Sequence, residues 1–279
     1  MKKFALIGFP LGHTFSPTIH NTAFKHYGMD AEYGIIEIQE SVFESRIHEI
    51  KRKDWAGFNV TIPHKQRIIP FLDELDPIAV KIGAVNTIQL ISIDRWKGYN
   101  TDYLGFPKPI QSWLDKIETC LFIGAGGAAQ AVGFSMLELS AIEKIVIVDP
   151  IQKNAEALLN KLKSHVQKEY QIVDFKLIDK ITEKFDIIVN MSPVGMGKMN
   201  DKTPIGLKNI SHSNSIVYDL IYNPAKTLLL KEADALHLRS INGLPMLIGQ
   251  AEESFKIWTG RGFNEEIFTK IQSKLNKLF

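Results

Sequence analysis

Residues 120–129 read CLFIGAGGAA. The apolar run 120–123 has the pattern of a buried strand, and the glycine that follows punctuates it. Gly124-Ala125-Gly126-Gly127-Ala128-Ala129 then takes the form G-x-G-x-x-A, and the spacing predicts a helix that opens near Gly126 and runs through Leu139. The first glycine of such a loop permits a tight turn, the second lets a pyrophosphate approach the backbone, and the small third position lets helix and strand pack closely. The helix N-terminus adds amides and a partial positive charge that suit phosphates. Residues 144–149 read as the next strand, which puts Asp149 at a strand end, 20 residues beyond Ala129. A carboxylate there accepts hydrogen bonds from an adenosine ribose and repels a 2′-phosphate, which favours NAD over NADP. Pro150, Ile151 and Gln152 offer no cation, and Lys153 reads as a solvated helix residue.

Outward from this loop, strand-like and helical patterns alternate along the whole chain. Strands are predicted at 4–8, 33–38, 57–61, 85–90 and 98–101. Ser16 and Pro17 read as the capping hydroxyl and first-turn proline of a helix that carries Ile19, Ala23, Phe24 and Tyr27 and stops at Gly28. A second helix is expected around 42–50, and after Pro107 and Pro109 a helix to about Leu114. Beyond the glycine loop, strands are expected at 175–178, 186–189 and 216–220. Met246, Leu247, Gln250, Phe255 and Trp258 then fall on a helical spacing after Pro245, and a last helix begins near Asn264. The pattern predicts an α/β protein of two domains, residues 1–104 with 240–279 and residues 105–239, the C-terminal helices packing back on the first.

With 279 residues, the chain exceeds one small core. Its net charge of +2 lacks the basic excess that nucleic acid or anionic lipid would require. The single cysteine, Cys120, excludes an internal disulfide and a cysteine-based zinc site, and no metal is expected. No apolar run approaches the roughly 20 residues of a membrane span, and the start Met1-Lys2-Lys3 leads into Gly8, Pro10 and Gly12 rather than into a secretion signal. A soluble, cytoplasmic protein with no membrane or nucleic-acid partner is expected.

Polar residues gather where strands of the first domain end: Gly12 to Pro17, Asn59 to Lys65, Gly83 to Thr87 and Gly98 to Asp102. Singly, each has a bland explanation. Ser16 and Asp102 suit helix caps, Asn59 and Asn86 suit turns, and Lys65 suits a surface. Jointly they resemble neither surface nor core, because hydroxyls, amides, one amine and one carboxylate converge at strand termini, where α/β sheets bind ligands. His13 and His64 have no metal-ligand spacing and read as structural hydrogen bonders, and Phe255 and Trp258 as helix packing.

In this ordered set the chain resembles the shikimate dehydrogenase family, including its shikimate/quinate branch. The resemblance runs from the His-x-x-Ser-Pro loop at 13–17, through Asn59 to Lys65, Gly83 to Thr87, Asn100-Thr101-Asp102 and the glycine loop, to Asn190, Tyr218 to Tyr222, Pro224, Asn242-Gly243 and Gln250. It implies a substrate domain, a Rossmann-like cofactor domain and an active site in the cleft between them. It implies further that Lys65 and Asp102 are the catalytic pair, and that Thr14 and Ser16 hold a substrate carboxylate. Asn59, Thr61, Asn86 and Gln250 would meet ring hydroxyls, and Tyr222 would line the carboxylate end. Gly124, Ala125, Gly126, Gly127, Ala128, Asp149, Asn190, Ser192, Leu220, Gly243 and Met246 would face NAD or NADP. Two departures stand out. The family's first loop serine is Thr14 here, and the Asn-Arg-Thr segment of NADP-dependent members is replaced by Asp149-Pro150-Ile151.

The implied reaction interconverts 3-dehydroshikimate and shikimate. Quinate, or both compounds, is the nearest rival substrate, and a non-catalytic nucleotide sensor is the rival of another class; a monomer or a homodimer fits either. Carbonyl reduction needs a proton donor near the developing alkoxide, and the ammonium of a lysine is such a donor at neutral pH. Oxidation requires the same group to shed its proton, directly or through Asp102.

Overall fold

The computed structural model describes every residue except His13, Ile93, Asn276, Leu278 and Phe279. The structural hydrogen bonding expected of His13 therefore lies outside the described residues. Two units emerge from the contact pattern, Met1–Gly105 with Ile248–Phe279, and Phe106–Leu247. The second crossing falls after 240 because Arg239–Ile241 is itself a strand of the second unit's sheet.

The first unit contains β1 (Lys2–Gly8), α1 (Ser16–His26), β2 (Ala31–Glu37), α2 (Phe43–Lys51), β3 (Gly57–Val60), β4 (Glu74–Leu75), α3 (Pro77–Ile82), β5 (Thr87–Ser92), β6 (Arg95–Tyr99) and α4 (Asp102–Gly105). Its sheet runs β2-β1-β3-β5-β6-β4, with β5 antiparallel to both β3 and β6. The outer edge of β2 is blunted by Asn21 of α1, whose side-chain amide donates to the Tyr33 carbonyl and accepts from the Tyr33 amide, both at 2.9 Å. α3 was not anticipated, although its signals are present: the Asp76 carboxylate accepts from the Ile78 amide at 2.9 Å, and Gly83 closes the helix at φ +65°.

The second unit holds β7 (Thr119–Ile123), α5 (Ala129–Leu139), β8 (Lys144–Val148), α6 (Gln152–Lys163), β9 (Glu169–Ile172), β10 (Ile187–Asn190), β11 (Ile216–Asp219), α7 (Leu228–Ala235) and β12 (Arg239–Ile241). Its sheet is parallel throughout, in the order β12-β11-β10-β7-β8-β9. This is the doubly wound order whose direction reverses between β7 and β10, the point at which such sheets bind ligands. Strands buried on both faces explain the apolar runs; Leu121, Val146, Ile188 and Val217 share one core.

α8 (Leu244–Thr259), from Ile248 onward, and α9 (Glu265–Leu275) belong to the first unit. Phe255 is fully buried against Phe24, with ring centroids 5.2 Å apart, and Trp258 packs on Phe4 at 4.8 Å. The Trp258 indole N–H donates to the Ile88 carbonyl at 2.9 Å, and Gly57 is the residue that admits it, since a Cβ there would lie 2.5 Å from Nε1. Both aromatics are packing residues.

Four local expectations need correction. Residues 175–178 are not a strand but part of a 3-10 turn, Phe175–Lys180, because the Asp174 carboxylate accepts from the Lys176 amide at 2.9 Å and starts a turn; the strand lies earlier, at β9. The stretch after Pro107 is likewise a 3-10 run, Lys108–Lys116, not an α-helix. The helix after the glycine loop opens at Ala129 rather than near Gly126. Ser16 sits inside the first turn of α1, with Phe15 at the cap, so its hydroxyl is not spent on capping.

Candidate functional site

Lys65 leaves β3 through the segment 61–65, which is pinned at both sides. The Val85 amide donates to the Lys65 carbonyl at 2.8 Å, and the preceding residue, His64, donates from Nε2 to the Ile38 carbonyl at 2.6 Å. The His64 ring stacks on Phe43 with centroids 4.2 Å apart, and burial holds its pKa below the usual histidine value. It is thus a neutral anchor, the structural role expected. Asp102 opens α4, and the Lys65 ammonium donates to its Oδ2 at 2.6 Å; the side chains are 16% and 10% exposed. An ammonium and a carboxylate so nearly enclosed hold each other in place while keeping one open side.

Beside this pair, the ends of β3, β5 and β6 and one turn of α8 form a hydrogen-bonded cluster. Asn86 Oδ1 accepts from the Thr101 amide at 2.7 Å and from the Thr87 and Thr101 hydroxyls, both at 3.1 Å. A backbone N–H can only donate, so the amide orientation is determined and the Asn86 NH2 is the end outside this network. Asn59 is different. Its Nδ2 faces the Asn86 carbonyl, the Thr87 hydroxyl and the Ser254 hydroxyl, and its Oδ1 accepts from the Tyr33 hydroxyl at 2.8 Å. With both ends consumed by the protein, Asn59 is arranged as a brace more than as an outward contact. Gln250 Oε1 lies 3.5 Å from the Thr101 hydroxyl, and its backbone crosses Gly105 so closely that a Cβ there would stand 2.6 Å from the Gln250 nitrogen.

Thr14 and Ser16 come together at the start of α1, their hydroxyls 3.3 Å apart. Thr61 is half-buried, its methyl filling the space beside Gly8. Behind Ser16, the buried ring of His20 stacks on Tyr33 at 4.4 Å; neither ring nitrogen has a hydrogen-bond partner, and burial pushes its pKa down to about 3. His20, Tyr33 and Ser254 were not singled out from the sequence, since a lone polar residue inside a helix or strand carries no motif, and Thr87 was noted only as the end of the segment from Gly83.

In the second unit, Gly124 adopts φ +97°, and a Cβ there would meet the Ser192 amide at 2.9 Å, so the turn admits only glycine. Gly126 and Gly127 are exposed, and nothing stands within 4 Å of a Cβ built on Gly126. Ala125 and Ala128 complete the loop between β7 and α5; the Ala125 amide donates to Asp149 Oδ2 at 2.7 Å, and the Ile151 amide to Oδ1 at 2.8 Å. The carboxylate is thereby fixed at the end of β8, half-buried.

Asn190, fully buried at the end of β10, is spent internally: Nδ2 donates to the Val194 carbonyl at 3.1 Å and to Asp219 at 3.0 Å, while Oδ1 accepts from the Ser192 amide and hydroxyl. It shapes the turn carrying Ser192. Burial raises the Asp219 carboxyl above the usual range, despite the hydroxyl of Thr227 and the amide of Ile221 that donate to it. Gly243 packs on Leu220 so tightly that a Cβ would fall 1.9 Å from the Leu220 carbonyl oxygen. Met246 is buried in the first turn of α8, and Tyr222 is half-buried beyond β11, its phenol pKa raised by burial.

The chain is similar to known proteins over nearly its whole length. Residues 6–88 match the model of the shikimate dehydrogenase substrate binding domain, and residues 243–270 that of the shikimate 5′-dehydrogenase C-terminal domain. A shikimate dehydrogenase (NADP(+)) of Methanocaldococcus jannaschii is 40% identical over 269 residues, covering 95% of this chain and 94% of that protein. A crystal structure of a shikimate dehydrogenase in complex with NADP+ superposes with a TM-score of 0.87 at 36% identity, over 98% of this chain and 96% of that one. A shikimate 5-dehydrogenase of Listeria monocytogenes in complex with shikimate and NAD gives a TM-score of 0.88 at 28% identity, over 99% and 96%.

Proposed function

The chain belongs to the shikimate dehydrogenase family, and from that premise we propose that it interconverts 3-dehydroshikimate and shikimate, with Lys65 and Asp102 as the proton-transfer pair and a nicotinamide dinucleotide as redox partner. The observation that carries this reading is the 2.6 Å Lys65–Asp102 contact set beside neutral hydroxyls and amides. In reduction, Lys65 donates its proton to the oxygen that becomes an alcohol, and Asp102 keeps the ammonium oriented. In oxidation the proton leaves along the reverse route, from the substrate hydroxyl to Lys65 and on to Asp102 or water.

Recognition rests on hydrogen bonds. Thr14 and Ser16 present two hydroxyls to a carboxylate, while the Asn86 NH2, Thr61 and Gln250 are placed for ring hydroxyls, with Asn59 as their brace. Buried polar groups of this kind reject analogues that would leave them unpaired. Tyr222 is proposed for the carboxylate end.

The residues of the second unit fit a dinucleotide. The strained turn at Gly124 and the open space at Gly126 leave the backbone accessible to a pyrophosphate, and Asp149 is held at the strand end where a ribose would lie. Gly127, Ala125 and Ala128 would complete the phosphate loop, and Asn190, Ser192, Leu220, Gly243 and Met246 its flank. A bound nicotinamide ring supplies or accepts the hydride. We infer NAD as the better partner, because Asp149 would repel a 2′-phosphate and residues 150–152 carry no positive charge, whereas the relatives' names specify NADP(+). Thr14, whose extra methyl alters the carboxylate end, favours quinate as a second substrate.

The test is a matrix of shikimate and quinate against NAD and NADP, scored by kcat/KM with purified enzyme. Highest efficiency for shikimate with NAD is expected. Preference for NADP would overturn the reading of Asp149, preference for quinate that of the substrate, and turnover in none of the four would favour a nucleotide sensor.

A further inference from the structure

Ser254 lies on α8 one turn beyond Gln250, is fully buried, and belongs to no recognised motif. Its hydroxyl oxygen stands 2.8 Å from Thr87 Oγ1 on β5, 3.2 Å from Thr101 Oγ1 beyond β6, 3.0 Å from Asn59 Nδ2 on β3 and 3.0 Å from the Gln250 carbonyl. Serine is a poorer helix residue than alanine, and although the Gln250 carbonyl one turn back satisfies its hydroxyl locally, the contacts to Asn59, Thr87 and Thr101 are tertiary.

The proton order in the cluster can be followed from its ends. Thr101 donates its amide to Asn86 Oδ1, and Asn59 Nδ2 donates to the Asn86 carbonyl. The second Asn59 proton lies between the Thr87 and Ser254 oxygens, each 3.0 Å from Nδ2, and the single Ser254 proton goes to the Gln250 carbonyl or to one of the two threonine hydroxyls. Ser254 thus ties the helix turn bearing Gln250 to the strand ends bearing Asn59 and Asn86, beside the longer contact of Gln250 itself to Thr101. We infer that Ser254 is a positioning residue: its hydroxyl sets the relative placement of the Gln250 and Asn86 amides and so tunes recognition of the polyhydroxylated ring. This rests on the reading that those two amides face the substrate.

The experiment is steady-state kinetics of S254A and of T87V, a near-isosteric change that removes the hub's neighbouring hydroxyl, both in the full-length enzyme. For S254A the KM for shikimate is expected to rise about tenfold, with kcat within about threefold and the KM for the dinucleotide unchanged, the signature of lost binding that is uniform between ground and transition states. The double variant S254A/T87V is expected to resemble the single ones, because both break one network. If S254A fails to fold, T87V alone carries the same KM-against-kcat split. An unchanged shikimate KM in a wild-type-active background, or kcat and both KM values moving together, would overturn the inference. Absence of shikimate turnover by the wild type would instead overturn the functional reading beneath it, and this inference with it.

Discussion

The Lys65 ammonium and the Asp102 carboxylate, 37 positions apart in the chain, meet at 2.6 Å because β3 and β6 run in the same direction on either side of the antiparallel β5 and leave the sheet at the same end. In the mechanism proposed above, this donor is used when the alkoxide forms, not when substrate binds. Lys65→Ala is therefore expected to lower kcat by roughly 100-fold or more and to change KM much less. Alcohol oxidation by the wild type should accelerate as pH rises above neutrality, since the proton taken from the substrate must finally leave the pair. A variant with normal kcat would remove Lys65 from the mechanism, and a flat oxidative profile from neutral to alkaline buffer would remove the proton route.

His20 makes acid stability testable. Its pKa is about 3 in the folded protein against 6.5 when unfolded, so below pH 6.5 the unfolded chain binds a proton that the folded one refuses. The contribution is fully present above pH 6.5 and is lost as pH falls toward about 3; at pH 5 the loss is about 2 kcal/mol. Urea unfolding at pH 7 and pH 5 should show His20→Phe losing about 2 kcal/mol less than wild type over that interval. Equal losses would mean that the ring accepts its proton inside the fold.

Much of this architecture was legible because several levels of the sequence agree. At residues 120–129 an apolar run, a small-residue loop and a helical pattern all call for the same strand-loop-helix. Legibility failed where one local group decides: Phe175 to Ile178 is apolar enough for a strand, and only the Asp174 turn diverts it. It also failed where the geometry is purely tertiary. Ser254 meets Thr87 across 167 positions, a relation no spacing encodes. Asn59 and Asn190 stand out in the sequence as ligand contacts, yet their amides bond to neighbours that only the folded chain supplies.

The glycines separate folding from binding. Gly243→Ala would put a methyl 1.9 Å from the Leu220 carbonyl, forcing the backbone apart; a loss of about 3 kcal/mol or more is expected, read by thermal or urea unfolding. Gly126→Ala meets open space and should leave stability within about 0.5 kcal/mol of wild type while raising the KM for the dinucleotide about tenfold or more, since the added methyl would occupy the path proposed for the pyrophosphate. An unaltered dinucleotide KM in a folded Gly126→Ala enzyme would separate this loop from phosphate binding.

The cofactor choice proposed above turns on Asp149. Its two oxygens already accept amides from Ala125 and Ile151, so the carboxylate cannot swing away from a ribose at the strand end. Replacing it with Asn, which removes the charge, together with Ile151→Arg, which adds a cation two residues on, converts repulsion of a 2′-phosphate into attraction. The ratio of kcat/KM for NADP to that for NAD is expected to rise about 100-fold, equivalent to about 2.7 kcal/mol of differential binding. Because the altered groups lie at the ribose rather than at the reacting carbon, kcat at saturation should change little. Should the ratio stay constant while stability falls, Asp149 would be a loop brace that sets the turn through the Ala125 amide, and discrimination between the two dinucleotides would have to reside elsewhere along the strand ends.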